Sequence, residues 1–350
     1  MATITTITTA VPPYRLSPDD TKRLIPDVFR LDVRTSASIS RMVDNSGIAN
    51  RYTAFPAEYM IQPRNLTQDT NDYRDHAVIL ATCVVGDCLK EANLKPTDID
   101  VLVVVSCTGV IMPSIDAYLM NNLGFRPNVI RIPITELGCM GGAAAISRAR
   151  ELGVAYPSKN IMVISVELPS LTYQHDDPSP ANVVSSSLFG DGAVCVLVAG
   201  NSATSGIEIV DTESCFFPET LDAMGFDLRT EGLHIVLSKD VPTLIRTGIR
   251  TPVDNLLSRH NLSIEQVSAW VLHPGGRKIL ECLEQELQLP REMTQPSWDI
   301  LRDYGNMSSA AVLFVLREWL AQQNQPSGSY GMMAAFGPGL SAELVLLRWR

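Results

Sequence analysis

The stretch Gly138-Cys139-Met140-Gly141-Gly142-Ala143-Ala144 decides the fold because it has a counterpart later in the chain. At an offset of 168 residues, from position 138 to position 306, it falls on Asn306-Met307-Ser308-Ser309-Ala310-Ala311-Val312. The same offset aligns segment 93–99 with segment 261–267. Each segment leads into a predicted strand, which is Val101–Val105 in the first case. This repeated order of elements predicts two related βα-rich halves.

The repeat continues toward the end of each half. The apolar segment 161–166 falls near 329–334, and Phe189-Gly190-Asp191-Gly192 matches Phe336-Gly337-Pro338-Gly339 after an excess of residues in the first half. Short, wholly apolar strands are typical of parallel strands buried on both faces. We therefore expect an α/β chain of two duplicated parallel-sheet halves, residues 1–208 and 209–350, packed face to face.

Several other elements can be placed by pattern. Segment 1–13 alternates like a strand, and Ser17-Pro18-Asp19-Asp20 resembles a helix start. We expect a long helix from about Asp72 to Ala92, a helix rich in small residues from Met140 to Arg150, and an amphipathic helix from Asn306 to Gln322.

Bulk composition excludes several functional classes. The chain has 350 residues and a net charge of −10, so neither nucleic acid nor an anionic membrane surface is an expected partner. It has no apolar run long enough to span a bilayer. Seven cysteines without a C-x-x-C pair suggest neither a disulfide framework nor a zinc site, and no metal is expected. A cytoplasmic location is the simplest reading.

Cys139 is the candidate nucleophile. It follows a predicted strand at 129–135 and opens a helix, whose free N–H groups and dipole favour a thiolate and an oxyanion. Gly141 and Gly142 would let a substrate approach the backbone. The alternative interpretation is a buried cysteine packed at a tight strand–helix junction.

Two further side chains are candidates for the same site. His273 follows the predicted strand 268–272, at the kind of strand end where α/β sheets bind ligands. Asn306 begins the helix that the repeat aligns with the helix at Cys139. Their ordinary interpretations are a satisfied core histidine and a helix N-cap. Together the three could load an acyl group on sulfur and hold the enolate formed when a malonyl thioester loses CO2.

A set of strings spread over nearly the whole chain resembles the type III polyketide synthases, the chalcone-synthase kind. They are Gly138-Cys139-x-Gly-Gly, Leu188-Phe189-Gly190-Asp191-Gly192, Leu272-His273-Pro274-Gly275-Gly276, Tyr304-Gly305-Asn306-Met307-Ser308-Ser309 and Phe336-Gly337-Pro338-Gly339-Leu340. The resemblance implies a homodimer of five-layered αβαβα thiolase-like protomers with Cys139, His273 and Asn306 as catalytic residues. It implies acyl-CoA and malonyl-CoA as substrates, with no cofactor.

The resemblance also assigns a substrate cavity. Phe189 matches an aromatic gate residue, whereas Ile235 stands where the family has a second gate phenylalanine. Phe226 stands where chalcone synthase has glycine, and Met112 matches a methionine that reaches into the neighbouring protomer. The remaining expected lining residues are Cys107, Thr108, Thr172, Ser308, Gly337, Pro338 and Gly339.

Binding of CoA is expected to involve basic residues. Arg41 matches one basic position of the family, whereas Ser38 and Asn45 replace two others. Arg277 and Lys278 are basic where plant enzymes are not, and we expect them to supply charge at the tunnel mouth. Their alternative interpretation is a solvated helix start.

A smaller chamber, partly filled by Phe226, suggests few extensions, and its more aliphatic wall suggests a fatty or other apolar starter. The expected product is an alkyl-pyrone or alkyl-resorcinol. The main alternative is a single-round β-ketoacyl synthase III-like condensing enzyme of the same fold. A Cys-His hydrolase would need a group that orients the histidine from behind. A catalytically silent binding protein of the same fold would have no need of the three intact side chains.

Overall fold

The computed structural model describes residues 1–175, 177–200, 205–322 and 325–350. Its strands are β1 (Thr3–Ala10), β2 (Tyr14–Leu16), β3 (Arg51–Thr53), β4 (Val101–Val105), β5 (Ile130–Ile134), β6 (Asn160–Glu167), β7 (Gly192–Ala199), β8 (Ile207–Phe216), β9 (Met224–Leu228), β10 (Leu233–Leu237), β11 (Val267–Leu272), β12 (Tyr330–Gly337) and β13 (Ser341–Trp349). Its α-helices are α1 (Pro18–Val28), α2 (Val33–Asn45), α3 (Ala57–Met60), α4 (Leu66–Glu91), α5 (Ile115–Leu123), α6 (Gly141–Ala155), α7 (Pro180–Leu188), α8 (Val241–Gly248), α9 (Arg250–Ser258), α10 (Arg277–Leu287), α11 (Gln295–Tyr304) and α12 (Ala311–Gln322). Short 3₁₀ turns lie at Pro96–Asp98, Gly138–Met140, Pro169–Leu171, Ile264–Gln266, Arg291–Met293 and Ser308–Ala310.

Nine of the described strands form one continuous sheet. Their order is β11-β12-β13-β8-β1-β7-β6-β4-β5. Strand β4 pairs in parallel with β5 and β6, and β11 pairs in parallel with β12, but the remaining neighbours are antiparallel. The expectation of purely parallel halves is therefore wrong. Between β12 and β13 the reason is local, since a turn of a few residues can join only antiparallel strands.

The strand order contains the predicted duplication. From the centre outward, β1, β7, β6 and β4 of the first half match β8, β13, β12 and β11 of the second. The two halves meet edge to edge through a short ladder in which Thr3 pairs with Glu208 and Ile4 with Ile207. The ladder makes the two sheets continuous, a connection that the repeat alone did not indicate.

The layers follow from the distribution of buried residues. Helices α6 and α12 pack with the inner faces of both sheets in one core, which includes Ile146, Val196, Leu313 and Val345. The outer face of the first half packs on α4, and the outer face of the second packs on α9 and α10. Helix, sheet, helix, sheet and helix give the expected five-layered αβαβα arrangement, with the starts of α6 and α12 at its centre.

Most local expectations agree with the structure. Segment 1–13 contains β1, and Ser17 caps α1 in a capping box with Asp20. Helix α4 begins at Leu66 rather than near Asp72, because Asn65 and Gln68 form an earlier capping box. None of the helices in the described ranges combines the length and apolar character needed to cross a bilayer.

Candidate active site

Cys139 lies in the 3₁₀ turn Gly138–Met140, directly before α6. The turn depends on Gly138, whose φ is +52°, a left-handed value that other residues adopt at a cost. A Cβ on Gly138 would also lie 2.4 Å from Cδ of Pro338. The predicted position of the cysteine at a helix start is thus close to what is observed, with one tight turn inserted before the helix.

The small residues after Cys139 serve packing. A Cβ on Gly142 would lie 2.1 Å from the carbonyl oxygen of Ser309, and one on Gly141 would lie 2.7 Å from Cγ1 of Val105. Both glycines are buried. Gly142 lets the starts of α6 and α12 approach closely, and Gly141 lets α6 pack on β4. The expectation that the two glycines admit a substrate to the backbone is therefore wrong.

His273 follows β11 and is fixed mainly through its backbone. Its N–H donates to the carbonyl of Ala334 at 2.9 Å, and its carbonyl accepts from the N–H of Gly275 at the same distance. Its Nδ1 atom is buried and has no hydrogen-bond partner within the described residues. A hydrolase triad places a carboxylate or amide behind the histidine, and the described structure has no such group there.

Asn306 is not an ordinary N-cap. It pairs in an isolated β-bridge with Phe189, and α12 begins only at Ala311, after the turn Ser308–Ala310. Its Oδ1 accepts from the Ser308 N–H at 2.9 Å, and its Nδ2 donates to the Gly275 carbonyl at 3.2 Å. The backbone of Asn306 therefore holds Phe189 near the start of α12, and its side-chain amide holds the turn after His273 there.

A cavity of about 850 Å³ joins these side chains. Cys139, His273 and Asn306 all line it, which is the arrangement that the repeat predicted. The structure also places nine of the other expected residues on its wall: Cys107, Thr108, Phe189, Phe226, Ile235, Ser308, Pro338, Arg277 and Lys278. Its volume is large enough for a substrate rather than for a few waters.

Other expected residues lie elsewhere. Thr172 turns its hydroxyl to the Pro169 carbonyl at 2.8 Å and does not line the cavity. Gly337 packs under the nucleophile turn, since a Cβ there would lie 2.3 Å from the Leu137 carbonyl oxygen. Gly339 serves the turn into β13 with a φ of +65°.

Two more expected residues are exposed. Arg41 contacts Ser38 at 3.3 Å on the outer side of α2 and is not among the residues that line the cavity. Met112 is 98% exposed and does not reach the cavity of its own chain.

The expected gate position Ile235 lies on a hairpin. Ile235 on β10 pairs directly with Phe226 on β9, and both line the cavity. Cross-strand partners share one face of a sheet, so the aromatic ring stands beside the aliphatic gate position. Both departures from the family pattern are visible in the sequence, but their contact is not.

The cavity mouth carries positive charge. Lys278 and Arg277 begin α10. Lys239, which was not predicted, precedes α8 and lines the same cavity. Arg277 is already engaged, because it forms a salt bridge with Glu281 at 2.8 Å and reaches the Asn45 carbonyl at 3.4 Å. Lys278 and Lys239 form no salt bridge with any of the described residues.

Burial sets the protonation of the two titratable candidates. It raises the pKa of the Cys139 thiol to about 11, with a hydrogen bond to Ser308 acting in the opposite direction. It lowers the pKa of His273 to about 4. Burial therefore favours a neutral thiol and a neutral imidazole, and it opposes the helix-start effect that predicts a thiolate.

A buried carboxylate near the site was missed as well. Glu167 ends β6, and its charge is a further cause that raises the Cys139 pKa. The signal in the sequence was a single acidic residue at the end of the apolar run Ile161–Val166. Within the described residues, no group of His, Cys, Asp or Glu side chains could hold a metal ion.

The five-layered fold is that of the thiolase-like condensing enzymes. Family models for the N-terminal and C-terminal domains of chalcone and stilbene synthases match residues 1–202 and 208–349. The chain therefore belongs to the chalcone and stilbene synthase family and is a type III polyketide synthase, an acyltransferase.

Individual relatives agree over almost the whole length. The chain is 34% identical to 1,3,6,8-tetrahydroxynaphthalene synthase of Streptomyces peucetius subsp. caesius, covering 99% of this chain and 93% of that one. It is 32% identical to a putative chalcone synthase of Bacillus subtilis, covering 100% and 99%. The crystal structure of 1,3,6,8-tetrahydroxynaphthalene synthase from Streptomyces coelicolor superposes with a TM-score of 0.94 at 30% identity, covering 99% of each chain.

Proposed function

We propose that this enzyme loads an acyl group from an acyl-CoA starter on Cys139 and extends it by repeated decarboxylative condensation with malonyl-CoA. The observation that carries the proposal is that Cys139, His273 and Asn306 line one cavity whose mouth is basic. A nucleophile, two hydrogen-bond donors and an anion-binding entrance are the parts that this chemistry needs.

The steps follow from the chemistry of each group. The Cys139 sulfur attacks the starter thioester, the acyl group moves to sulfur, and CoA leaves as its thiol. Malonyl-CoA then enters, and loss of CO2 leaves an enolate whose carbon attacks the Cys139 thioester. This forms a carbon–carbon bond and regenerates the cysteine for another round.

His273 and Asn306 would hold the enolate oxygen. A neutral imidazole keeps one N–H to donate, and burial keeps His273 neutral by lowering its pKa to about 4. The Asn306 amide has two N–H bonds, and only one is directed to the Gly275 carbonyl. Both groups can therefore donate toward the cavity at the moment when negative charge develops.

We propose that Lys278, Arg277 and the family-matched Arg41 attract the phosphates of CoA. Lys278 is the best placed of the three, because it lines the mouth and has no salt bridge in the described part of the chain. Arg277 would act partly by holding the end of α2 near α10. Arg41 lies on the outer side of α2, so of the three residues it would act on the phosphates from the greatest distance.

For the product we propose an alkyl-pyrone or alkyl-resorcinol built on an apolar starter. The support is the aliphatic Ile235 at the gate and the wall residues Val184, Leu188 and Ile245, which suit an acyl chain. The similarity to tetrahydroxynaphthalene synthases gives the competing outcome, an aromatic product made from malonyl-CoA alone.

We further propose a homodimer in which each protomer contributes Met112 to its partner's site. The support is its 98% exposure and its absence from the cavity of its own chain. The two thiolase-like halves are proposed as residues 1–208 and 209–350. Strand β8 crosses that division, since it begins at Ile207.

The test is to incubate the purified enzyme with malonyl-CoA and acyl-CoAs from acetyl to palmitoyl, and to identify products by mass spectrometry. Pyrones or resorcinols that carry the starter support the proposal. Tetrahydroxynaphthalene from malonyl-CoA alone would overturn the proposed product while leaving the family intact. A single β-ketoacyl product that requires a carrier protein would favour the single-round condensing enzyme.

A further inference from the structure

Arg51, the first residue of β3, is a buried cation that binds backbone rather than a carboxylate. It is only 2% exposed and forms no salt bridge with any described residue. Its Nη1 donates to the carbonyls of Ser186 at 2.7 Å and Phe189 at 2.8 Å, and lies 3.3 Å from the Tyr173 hydroxyl. Its Nη2 donates to the Thr21 hydroxyl at 2.7 Å.

The two carbonyls that Arg51 binds belong to the last turn of α7 and to the residue after it. Carbonyl groups at the end of a helix lack partners within the helix, and the aligned peptide dipoles make that end negative. A buried cation is costly unless such groups surround it. Arg51 therefore caps α7 from another element of the fold.

The segment that Arg51 caps holds Asn306 from two sides. The Leu188 carbonyl accepts from the Asn306 N–H at 2.9 Å, and the Gly190 N–H donates to the Asn306 carbonyl at 3.0 Å. Gly305 leaves room for this approach, since a Cβ there would lie 2.6 Å from the Leu188 carbonyl oxygen and 3.0 Å from Cγ of Arg51. Arg51 thus lies against both the segment that binds Asn306 and the residue before it.

A buried carboxylate anchors the same segment further along. Asp191 is fully buried and accepts from the Ala54 N–H at 2.7 Å and from the Ser170 N–H at 2.9 Å. Burial raises the pKa of Asp191 to about 7, whereas these hydrogen bonds and the charge of Arg51 act in the opposite direction. Arg51 therefore holds the chain at Phe189, and Asp191 anchors it two residues later.

We propose that Arg51 is a positioning residue for Asn306. It fixes the carbonyls at the end of α7, that segment fixes the backbone of Asn306, and the Asn306 side chain is thereby held at the cavity wall. Arg51 itself does not line the cavity and acts only through these contacts. The inference rests on the proposed function in taking Asn306 as a donor to the enolate oxygen.

This indirect role should affect one chemical step more than the other. Acyl loading needs the sulfur of Cys139, and none of the hydrogen bonds of Arg51 to described residues reaches the turn that carries it. Decarboxylation of malonyl-CoA needs the Asn306 donor at the position where negative charge develops. Loss of Arg51 as a purely structural residue would instead slow both steps together.

The test compares Arg51→Lys and Arg51→Gln with the unaltered enzyme in two assays. Neither side chain reproduces the planar group of donors that binds two carbonyls and a hydroxyl. Single-turnover acylation of Cys139 by acyl-CoA alone is followed by mass spectrometry, and decarboxylation is followed by release of labelled CO2 from malonyl-CoA. Thermal melting shows which variants are folded.

In a folded Arg51 variant, kcat for decarboxylation should fall about tenfold, while the KM for malonyl-CoA and the acylation rate stay within about twofold. Arg51→Lys, which keeps the charge at the end of α7, should lose less than Arg51→Gln. Equal losses in acylation and decarboxylation, or no loss in either, would overturn the proposal. Failure of both variants to fold would do the same, because Arg51 would then be a purely structural residue.

Two control variants separate positioning from general loosening of the fold. Thr21→Val removes the partner of Nη2 but leaves both carbonyl contacts in place, so decarboxylation should stay within about twofold. Arg64→Lys alters another arginine, whose side chain is 10% exposed, pairs with Asp69 and Asp72, and does not line the cavity. It should lower the melting temperature without separating the two rates. A selective loss of decarboxylation in either control would contradict the specific role of Arg51.

These outcomes are separate from failure of the proposed function. If Asn306→Ala decarboxylated malonyl-CoA at the original rate, the role of Asn306 in the proposed function would be wrong. If Asn306→Ala loses decarboxylation and both Arg51 variants retain it, only the positioning role of Arg51 is wrong.

Discussion

The ring of Pro338, in the turn between β12 and β13, lies against Gly138, the residue before Cys139. A Cβ on Gly138 would lie 2.4 Å from Cδ of Pro338, and the φ of Gly138 is +52°. One half of the duplicated fold thus supports the nucleophile turn of the other. The position of the Cys139 sulfur consequently depends on contact between the halves.

Replacement of Gly138 by alanine should abolish most activity. The new methyl group meets both a left-handed backbone and the proline ring, so the turn that carries Cys139 must shift. We expect kcat for polyketide formation to fall at least about a hundredfold, the scale of loss that a displaced catalytic group produces. Product formation measured at saturating substrate checks this.

Gly124→Ala is the control for backbone strain alone. Gly124 ends α5 with a φ of +72°, and a Cβ there would have nothing within 4 Å. It should cost about 1–2 kcal/mol of stability and leave kcat unchanged. If Gly138→Ala behaves like Gly124→Ala, the proline contact has no catalytic importance.

The pair of Phe226 and Ile235 should set starter length. Phe226→Ala removes the larger side chain from the cavity wall and should shift preference toward longer acyl-CoAs, whereas Ile235→Phe should shift it toward shorter ones. Competition between two acyl-CoAs, read by mass spectrometry, gives the ratio of kcat/KM values. Leu228→Ala on the same strand is the control, since Leu228 is 60% exposed and lies outside the cavity wall; it should not change that ratio.

Charge at the mouth should affect binding rather than chemistry. Lys278→Glu should raise the KM for acyl-CoA by about two- to fivefold, the effect of one exposed ion pair, with kcat unchanged. The difference should shrink as salt is added. Reversal of Arg277 as well should raise KM further and also lower the melting temperature, because its contact with the end of α2 is lost. The control is Lys90→Glu on α4, outside the cavity wall, which should leave KM unchanged. If KM were also unchanged when both Lys278 and Arg277 are reversed, the proposed role of these residues in CoA binding would be wrong.

Above neutral pH, the reactivity of Cys139 should report its raised pKa. Because burial raises the pKa of the thiol to about 11, the thiolate fraction still rises between about pH 8 and pH 10, roughly tenfold per unit. Alkylation by iodoacetamide, followed at the Cys139 peptide, should rise in parallel. A rate that is already constant across this range would show a thiolate stabilised at neutral pH.

The three central side chains can be predicted from the sequence because they lie at repeated positions. Cys139 and Asn306 occupy equivalent places in two halves with the same order of elements, and His273 ends the strand equivalent to β4. Local patterns also gave the capping box at Ser17 and the buried strand Val101–Val105. Such features depend on neighbouring residues along the chain or on the internal repeat. Both can be read directly from the sequence.

The sequence by itself determined the duplicated fold, the family and the residues that meet at the cavity. The tertiary structure decided the mixed strand directions, the packing role of Gly142, and the contacts that join Cys107, Ser308 and Glu167. Cys107 and Ser308 are 201 residues apart, and no period or motif relates them. Their contact depends on distances in the folded chain, and the raised pKa of Cys139 depends on burial there. A pattern of residue types specifies neither.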